Sequence, residues 1–284
     1  SFKTMIKTKT TFETYRTLDE LLTKNKKLYY TRFGDGDIFI MKGVNARNHR
    51  TDKNLVRELH EAFTIKDPNY RIGLSVNYPC EKKMTKGVFI PFEMNDELSL
   101  YLEKNHLFKN DVYESFIFFP YLSVFYPDLM YDFFEKHIRP KTKMFIGSTD
   151  KETAEKLYGK IDYYVNTPGR FAYETIDEWW PQIENNANKV ELVISSAGSA
   201  SKVITKRLWY KNFDLHVLDV GSLIDAVEGK KSRGWIRRKG HKVQKILPKP
   251  YRGKSLSFRL NALRGDFNYW YRRYIKYRHL NKTS

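Results

Sequence analysis

The sequence predicts an α/β fold, a mainly parallel sheet with helices on both faces, followed by a basic, partly helical C-terminal arm. Three observations carry that expectation. Short apolar runs of strand length alternate with helical patterns about ten residues long. The runs end in polar, glycine-bearing turns, among them Gly34-Asp35-Gly36-Asp37, Gly147-Ser148-Thr149, Pro168-Gly169-Arg170 and Ala197-Gly198-Ser199. Finally, the net charge of +18 is unevenly placed: residues 230–284 hold eighteen Lys and Arg against one acid, Asp266, and the rest of the chain is near neutral. A chain of 284 residues with 41% hydrophobic side chains is long enough to bury one sizeable core. The expected organisation is therefore one domain, residues 1–229, and an extension, residues 230–284.

Taken in order, residues 17–28 carry leucines at helical spacing behind Thr17, which predicts a helix with Thr17 as its N-cap. A ring-rich strand over 28–33 then runs into a tight loop at Gly34-Asp35-Gly36-Asp37. Residues 54–63 read as a helix and 71–76 as a strand. Residues 95–134 read as helix in pieces, with Pro120 and Pro127 as breaks. A strand over 143–146 ends at Gly147, and Thr149 with Glu152 forms a capping box for the next helix. Residues 161–166 are a strand, 171–183 a helix bearing Trp179 and Trp180, 190–195 a central strand, 200–209 a helix and 215–218 the last strand. In the arm, Pro248 and Pro250 interrupt the pattern before a basic, ring-rich helix over 259–277.

The composition narrows the classes. One cysteine, Cys80, excludes a disulfide framework and a Cys-based zinc site. No window approaches the roughly 18 apolar residues of a membrane span, and Ser1-Phe2-Lys3-Thr4 lacks the apolar core of a signal peptide. The expected location is cytoplasmic.

Chemistry is expected at the strand ends, because parallel α/β sheets bind ligands outside the carboxyl ends of their strands. Asp35 and Asp37 are two carboxylates two residues apart with a glycine between them. Such a pair can converge on a hard cation, Mn²⁺ or Mg²⁺, which takes oxygen ligands and shares its shell with substrate phosphates. The same residues also make an ordinary turn with Asp as turn former, and spacing alone does not separate the two. Gly198 and Ser199, and likewise Gly147 and Ser148, open helices whose N–H groups favour anions; strand-to-helix packing explains these turns equally well. Arg170 is placed to pair with a phosphate or to stand on the surface. Asp219, at the end of an apolar strand, is a candidate base or a turn cap.

The stretch Tyr29-Tyr30-Thr31-Arg32-Phe33-Gly34-Asp35-Gly36-Asp37-Ile38 resembles the signature of the bacterial GT-D glycosyltransferases, whose core reads RFGDGE. Two further segments are similar to that family in order and spacing: Leu192 to Lys202, with its turn Ser195-Ser196-Ala197-Gly198-Ser199, and Leu218-Asp219-Val220-Gly221-Ser222-Leu223-Ile224-Asp225. The resemblance covers about residues 17–229. It implies a Rossmann-like fold and sugar transfer from a nucleotide-sugar donor, a UDP-sugar foremost, at a DxE metal motif, here Asp35 and Asp37. Position at the strand ends adds the other expected site residues: donor contacts from Arg32, Phe33, Gly34, Gly36, Gly147, Ser148, Arg170, Gly198 and Ser199, with Asp219 as the catalytic carboxylate. The departures are Asp37 where the family has Glu and Ser222 where it commonly has His. Of Trp179 and Trp180, one is expected to pack and the other to line the acceptor side.

The arm interleaves Arg237, Arg238, Arg272 and Arg273 with Trp235, Trp270 and several tyrosines, a mixture suited to an anionic membrane surface. This predicts a peripheral position on the inner face of the cell membrane, near a glycan or lipid-linked acceptor. Two other functions are open at this point. One is a metal-dependent protein acting on nucleic acid, against which the near-neutral body and the lack of an RNA-binding signature argue. The other is a non-catalytic nucleotide-sugar-binding module.

Overall fold

A computed structural model describes residues 6–25, 27–75, 96–107 and 112–252, with Leu263, Phe267 and Tyr271 as helical positions in the arm. Its strands are β1 (Lys7–Thr8), β2 (Tyr29–Phe33), β3 (Tyr70–Leu74), β4 (Val112–Ser115), β5 (Lys143–Gly147), β6 (Tyr163–Asn166), β7 (Leu192–Ser196) and β8 (His216–Asp219). They form one sheet in the order β1-β4-β3-β2-β8-β7-β5-β6, and every neighbouring pair is parallel. The central strands are mostly buried along their length because both faces of the sheet are covered, as parallel sheets require. In β2, Tyr29 and Phe33 enter one core and Tyr30 enters the other.

The first core is closed by α2 (Asp35–Met41), α3 (Lys53–Phe63), α4 (Asp96–Lys104), α8 (Ile176–Glu184) and α9 (Ala200–Tyr210). The second lies under α1 (Thr11–Thr23), α5 (Phe118–Phe125), α6 (Pro127–His137), α7 (Lys151–Tyr158), α10 (Leu223–Glu228) and α11 (Gly234–Lys239). The arrangement positions the site. β2 and β8 are neighbours, yet α2, which follows β2, packs on one face and α10, which follows β8, packs on the other. Strand ends between helices that diverge in this way leave a crevice.

Several expectations need correction. The first helix begins earlier, capped by Thr10 in a reciprocal box with Glu13, so Thr17 is an interior residue. The Gly34–Asp37 loop is a strand-to-helix turn: Asp35 is already the first residue of α2. Pro120 does not break the chain; it sits in the first turn of α5, where a backbone N–H has no helical partner to lose. The cap of α7 is Asp150, which accepts from Thr153 N at 2.8 Å, while Thr149 donates to Glu228 at 2.9 Å. Trp179 and Trp180 both pack in the core. β4 went unrecognised because it carries Glu114, buried against Lys9 at 2.9 Å and Thr14 at 2.9 Å.

The arm does not begin where the charge changes. Trp235, Ile236, Val243, Ile246 and Leu247 join the second core, so the packed unit continues past Gly229. The helix expected over 259–277 lies outside the described residues, apart from Leu263, Phe267 and Tyr271, which are helical and exposed. Cys80 also lies outside them.

Candidate active site

Three strand ends converge on one cluster of charge. β2 delivers Arg32, the first turn of α2 delivers Asp35 and Asp37, β8 ends in Asp219, and the start of α9 contributes Ser199 and Lys202. Lys202 is third in α9, and helical side chains lean back toward the N-terminus. Its ammonium therefore reaches the strand ends, 3.0 Å from Asp219 Oδ2, 3.6 Å from Asp37 Oδ2 and 3.2 Å from the Gly198 carbonyl. Arg32 lies on the far side of Asp219: its backbone N–H donates to Oδ2 at 3.2 Å and its Nε is 3.7 Å from Oδ1. The Arg32 guanidinium also donates to the Phe116 carbonyl at 3.1 Å and stacks on that ring at 4.8 Å. Two acids and two bases, all less than 9% exposed, thus form one neutral knot.

The backbone is shaped around it. Gly221, just past β8, has φ +63°, and a Cβ there would lie 1.5 Å from Arg32 Nη2. Gly198, with φ +59°, is pressed against His49, whose Nε2 would be 2.5 Å from an added Cβ. That Nε2 accepts from Ser199 N at 3.1 Å, so the ring is neutral with its proton on Nδ1. Burial agrees, pushing His49 down to about 4. Nδ1 is buried without a partner among the described residues.

The two aspartates of the motif differ. Asp37 accepts from Gly34 N at 2.8 Å, which caps α2, and from Ser199 Oγ at 2.5 Å, with Lys202 behind it. Residues i and i+2 of a helix do not share a face, so Asp35 leaves the face that Asp37 presents to the knot, and it is half-exposed in the first turn of α2. An Asp35 carboxylate fits Mn²⁺ or Mg²⁺, hard ions held by one or two carboxylates plus substrate phosphates. Asp37 fits poorly as a second ligand, because its oxygens already face three donors, one of them a cation. Among the described residues no three His, Cys, Asp or Glu gather around a common point for a metal.

The other expected residues divide. Gly34, Gly36, Gly198 and Ser199 stand at the crevice, but Ser199 N is taken by His49 and Ala197 N by Ser201 Oγ at 2.9 Å, which fills part of the expected anion cradle. Phe33 is fully buried against Phe63, with ring centroids 5.0 Å apart, and is core. Asp219 is 1% exposed, with Arg32 and Lys202 as its partners. Gly147 is buried beside Phe145, whereas Ser148 and Arg170 are exposed past the ends of β5 and β6; Arg170 donates to the Arg47 carbonyl at 3.0 Å. His49 and Lys202 were given no role from sequence. His49 lies in a polar loop among Arg47, Asn48 and Arg50, and nothing local marks it. The signal for Lys202 was present: a lysine in the first turn of a helix opposes the macrodipole.

Beside the knot, a cavity of about 620 Å³ is lined by His49, Arg50, Asn54, Glu58, Tyr173 and Arg207, among others. Its floor is the Glu58–Arg207 pair, at 2.6 and 3.0 Å, with Tyr173 donating to Glu58 at 3.1 Å.

A parallel α/β sheet with a charged crevice where the flanking helices change face is the plan of nucleotide-handling enzymes. The chain belongs to the glycosyltransferases of the GT-D fold, whose family model matches residues 30–244, and it is accordingly a glycosyltransferase. A glycosyltransferase of the DUF1792 type from Streptococcus sanguinis is structurally similar, with a TM-score of 0.59, 18% identity, and coverage of 79% of this chain and 84% of that one. A second structure of domain 1792, described as having a distinct glycosyltransferase fold, gives a TM-score of 0.56 at 17% identity, covering 79% and 81%. A comparison with curated proteins finds no match. The family match runs beyond Gly229, in agreement with the packing of α11.

Proposed function

We propose that this glycosyltransferase moves a sugar from a nucleotide-sugar donor, a UDP-sugar, to a glycan or lipid-linked acceptor in bacterial surface polysaccharide or glycoprotein synthesis. The observation that carries the reading is the hydrogen bond from Ser199 to Asp37. It joins two motif turns from separate strands at the sheet's central crevice. The donor diphosphate is assigned to that crevice, with Asp35 facing it. Mn²⁺ or Mg²⁺, held by Asp35 and the phosphates, would supply positive charge to the departing nucleotide. The chain's own part is positional: Asp37 fixes the first turn of α2, Ser199 ties that turn to α9, and Asp219 holds Arg32 and Lys202 beneath it.

The acceptor is assigned to the cavity beside His49. Its rings, carboxylates, asparagine and arginines are groups that hold sugar hydroxyls, and it shares His49 with the donor turn. Thermal shifts with UDP-, GDP- and CMP-sugars, each with and without Mn²⁺, test the reading. Stabilisation by a UDP-sugar only with metal is the expected result, and no response to any nucleotide sugar would count against it.

The arm supports a place at the cytoplasmic face of the membrane. No helix among the described residues is long and apolar enough to cross a membrane, yet Leu263, Phe267 and Tyr271 lie exposed at i, i+4 and i+8 in a basic stretch, with the two rings stacked at 6.2 Å. Such a face suits an anionic interface. A chain ending at Arg252, which keeps the core contacts of Trp235 and Leu247, is expected to lose co-sedimentation with anionic vesicles. Binding of nucleic acid without vesicles would reverse the assignment.

A further inference from the structure

Lys202 occupies an unusual position. It is 4% exposed, stands in the first turn of α9 where the helix dipole disfavours a cation, and has lost most of its water. Its ammonium donates to Asp219 at 3.0 Å and to the Gly198 carbonyl at 3.2 Å, and Asp37 lies in ion-pair range at 3.6 Å. With Arg32 on the other oxygen of Asp219, the charge of the knot is balanced without any further ion. A divalent ion bridging Asp37 and Asp219 would need the space the ammonium fills, and would be repelled by it at contact range.

We infer that Lys202 is the resident cation of the active site. It closes the Asp37–Asp219 pair to metal, so a divalent ion enters only together with the donor diphosphate, on Asp35. The inference rests on the metal-assisted donor reading above for its second half; the first half, closure by Lys202, stands on the knot alone. It assigns the two aspartates of the motif different work, one toward the ion and one toward the lysine, although they are two residues apart.

Mn²⁺ titration of the full-length chain, followed by the electron paramagnetic resonance signal of free Mn²⁺, tests both halves. Without nucleotide, the wild type is expected to bind Mn²⁺ weakly. Lys202→Met is expected to bind at least tenfold tighter, and Asp37→Asn in that background is expected to remove the gain. Adding UDP is expected to raise wild-type affinity at least tenfold, an increase lost in Asp35→Asn. Lys202→Gln, which keeps a hydrogen-bonding head without the charge, replaces Lys202→Met if thermal melting shows that variant unfolded, and the same gain is required of it. Tight Mn²⁺ binding by the wild type alone, lost in Asp37→Asn, would overturn the inference. So would a folded, neutral Lys202 variant with no gain. If UDP fails to raise wild-type binding, the metal-assisted reading falls, while the nucleotide-free comparison still decides the role of Lys202.

Discussion

The carboxyl edge of the sheet is built in two ways. At the ends of β2, β7 and β8, buried charges lock Arg32, Asp37, Lys202 and Asp219 to one another, and glycines with positive φ let them close. At the ends of β5 and β6, Ser148 and Arg170 stand exposed, and Arg170 is held by a backbone carbonyl of the 42–52 loop and by the Phe171 ring, 5.2 Å away, with no ion pair to a buried carboxylate among the described residues. The first half is braced by its own buried charges. The second half carries no such network. A braced floor beside an open wall is suited to holding a fixed donor group while leaving room for one particular substrate.

Substitutions can break this contrast or sharpen it. The largest effect on turnover is expected from Asp35→Asn, which removes the half-exposed carboxylate and leaves the knot intact. Sugar transfer should fall by about a thousandfold or more with an unchanged melting temperature; retained activity would remove Asp35 from the reaction. The largest effect on stability is expected from Asp219→Asn. It strips the shared partner from Lys202 and Arg32, and breaking a buried ion pair on one side costs about 3–5 kcal/mol. Urea unfolding measures it, and a loss under about 1 kcal/mol would show the knot to be loose.

The effect of pH is smaller. Burial holds His49 and His216 near 4, below the usual value of 6.5. Between those values the unfolded chain binds protons that the folded chain does not, so stability is complete above about pH 6.5 and declines as pH falls toward 4. His49→Gln should flatten the decline by on the order of 3 kcal/mol across that window, read as melting temperature from pH 7.5 to 4.5. A parallel curve would mean that His49 is not buried neutral. The smallest effect is expected on the open half: Arg170→Ala should leave stability within about 0.5 kcal/mol and change KM more than kcat.

What the sequence made legible follows the same division. β2, β5, β7 and β8 were readable because strands covered on both faces carry runs of apolar and ring-bearing residues. β1, only two residues long, and β4, with buried Glu114, offered no such run. The motif turns were readable as turns, but their wiring was not. Lys202 belongs to a helix that also carries Lys206 and Arg207, and a periodic reading sends all three to solvent. In the fold Lys206 meets Glu58 and Glu61 at 3.0 and 2.6 Å, and Arg207 meets Glu58, so a helix that looks basic in sequence spends its charge inward. The equivalence of Asp35 and Asp37, plausible from a two-residue spacing in a loop, disappears once that loop is recognised as the first turn of a helix.

The neutral knot also bears on how this site can evolve. Arg32, Asp37, Lys202 and Asp219 share partners, so the effects of changing them are not additive. A lineage replacing any one of them passes through an intermediate with an uncompensated charge in the interior, which selection removes unless a second change arrives with it. These four positions are therefore expected to be inherited as a block, keeping or changing their charges together, while Ser148 and Arg170 drift independently. Among distant relatives, a sequence that lacks the lysine should also carry an altered residue at the position of Asp37 or Asp219.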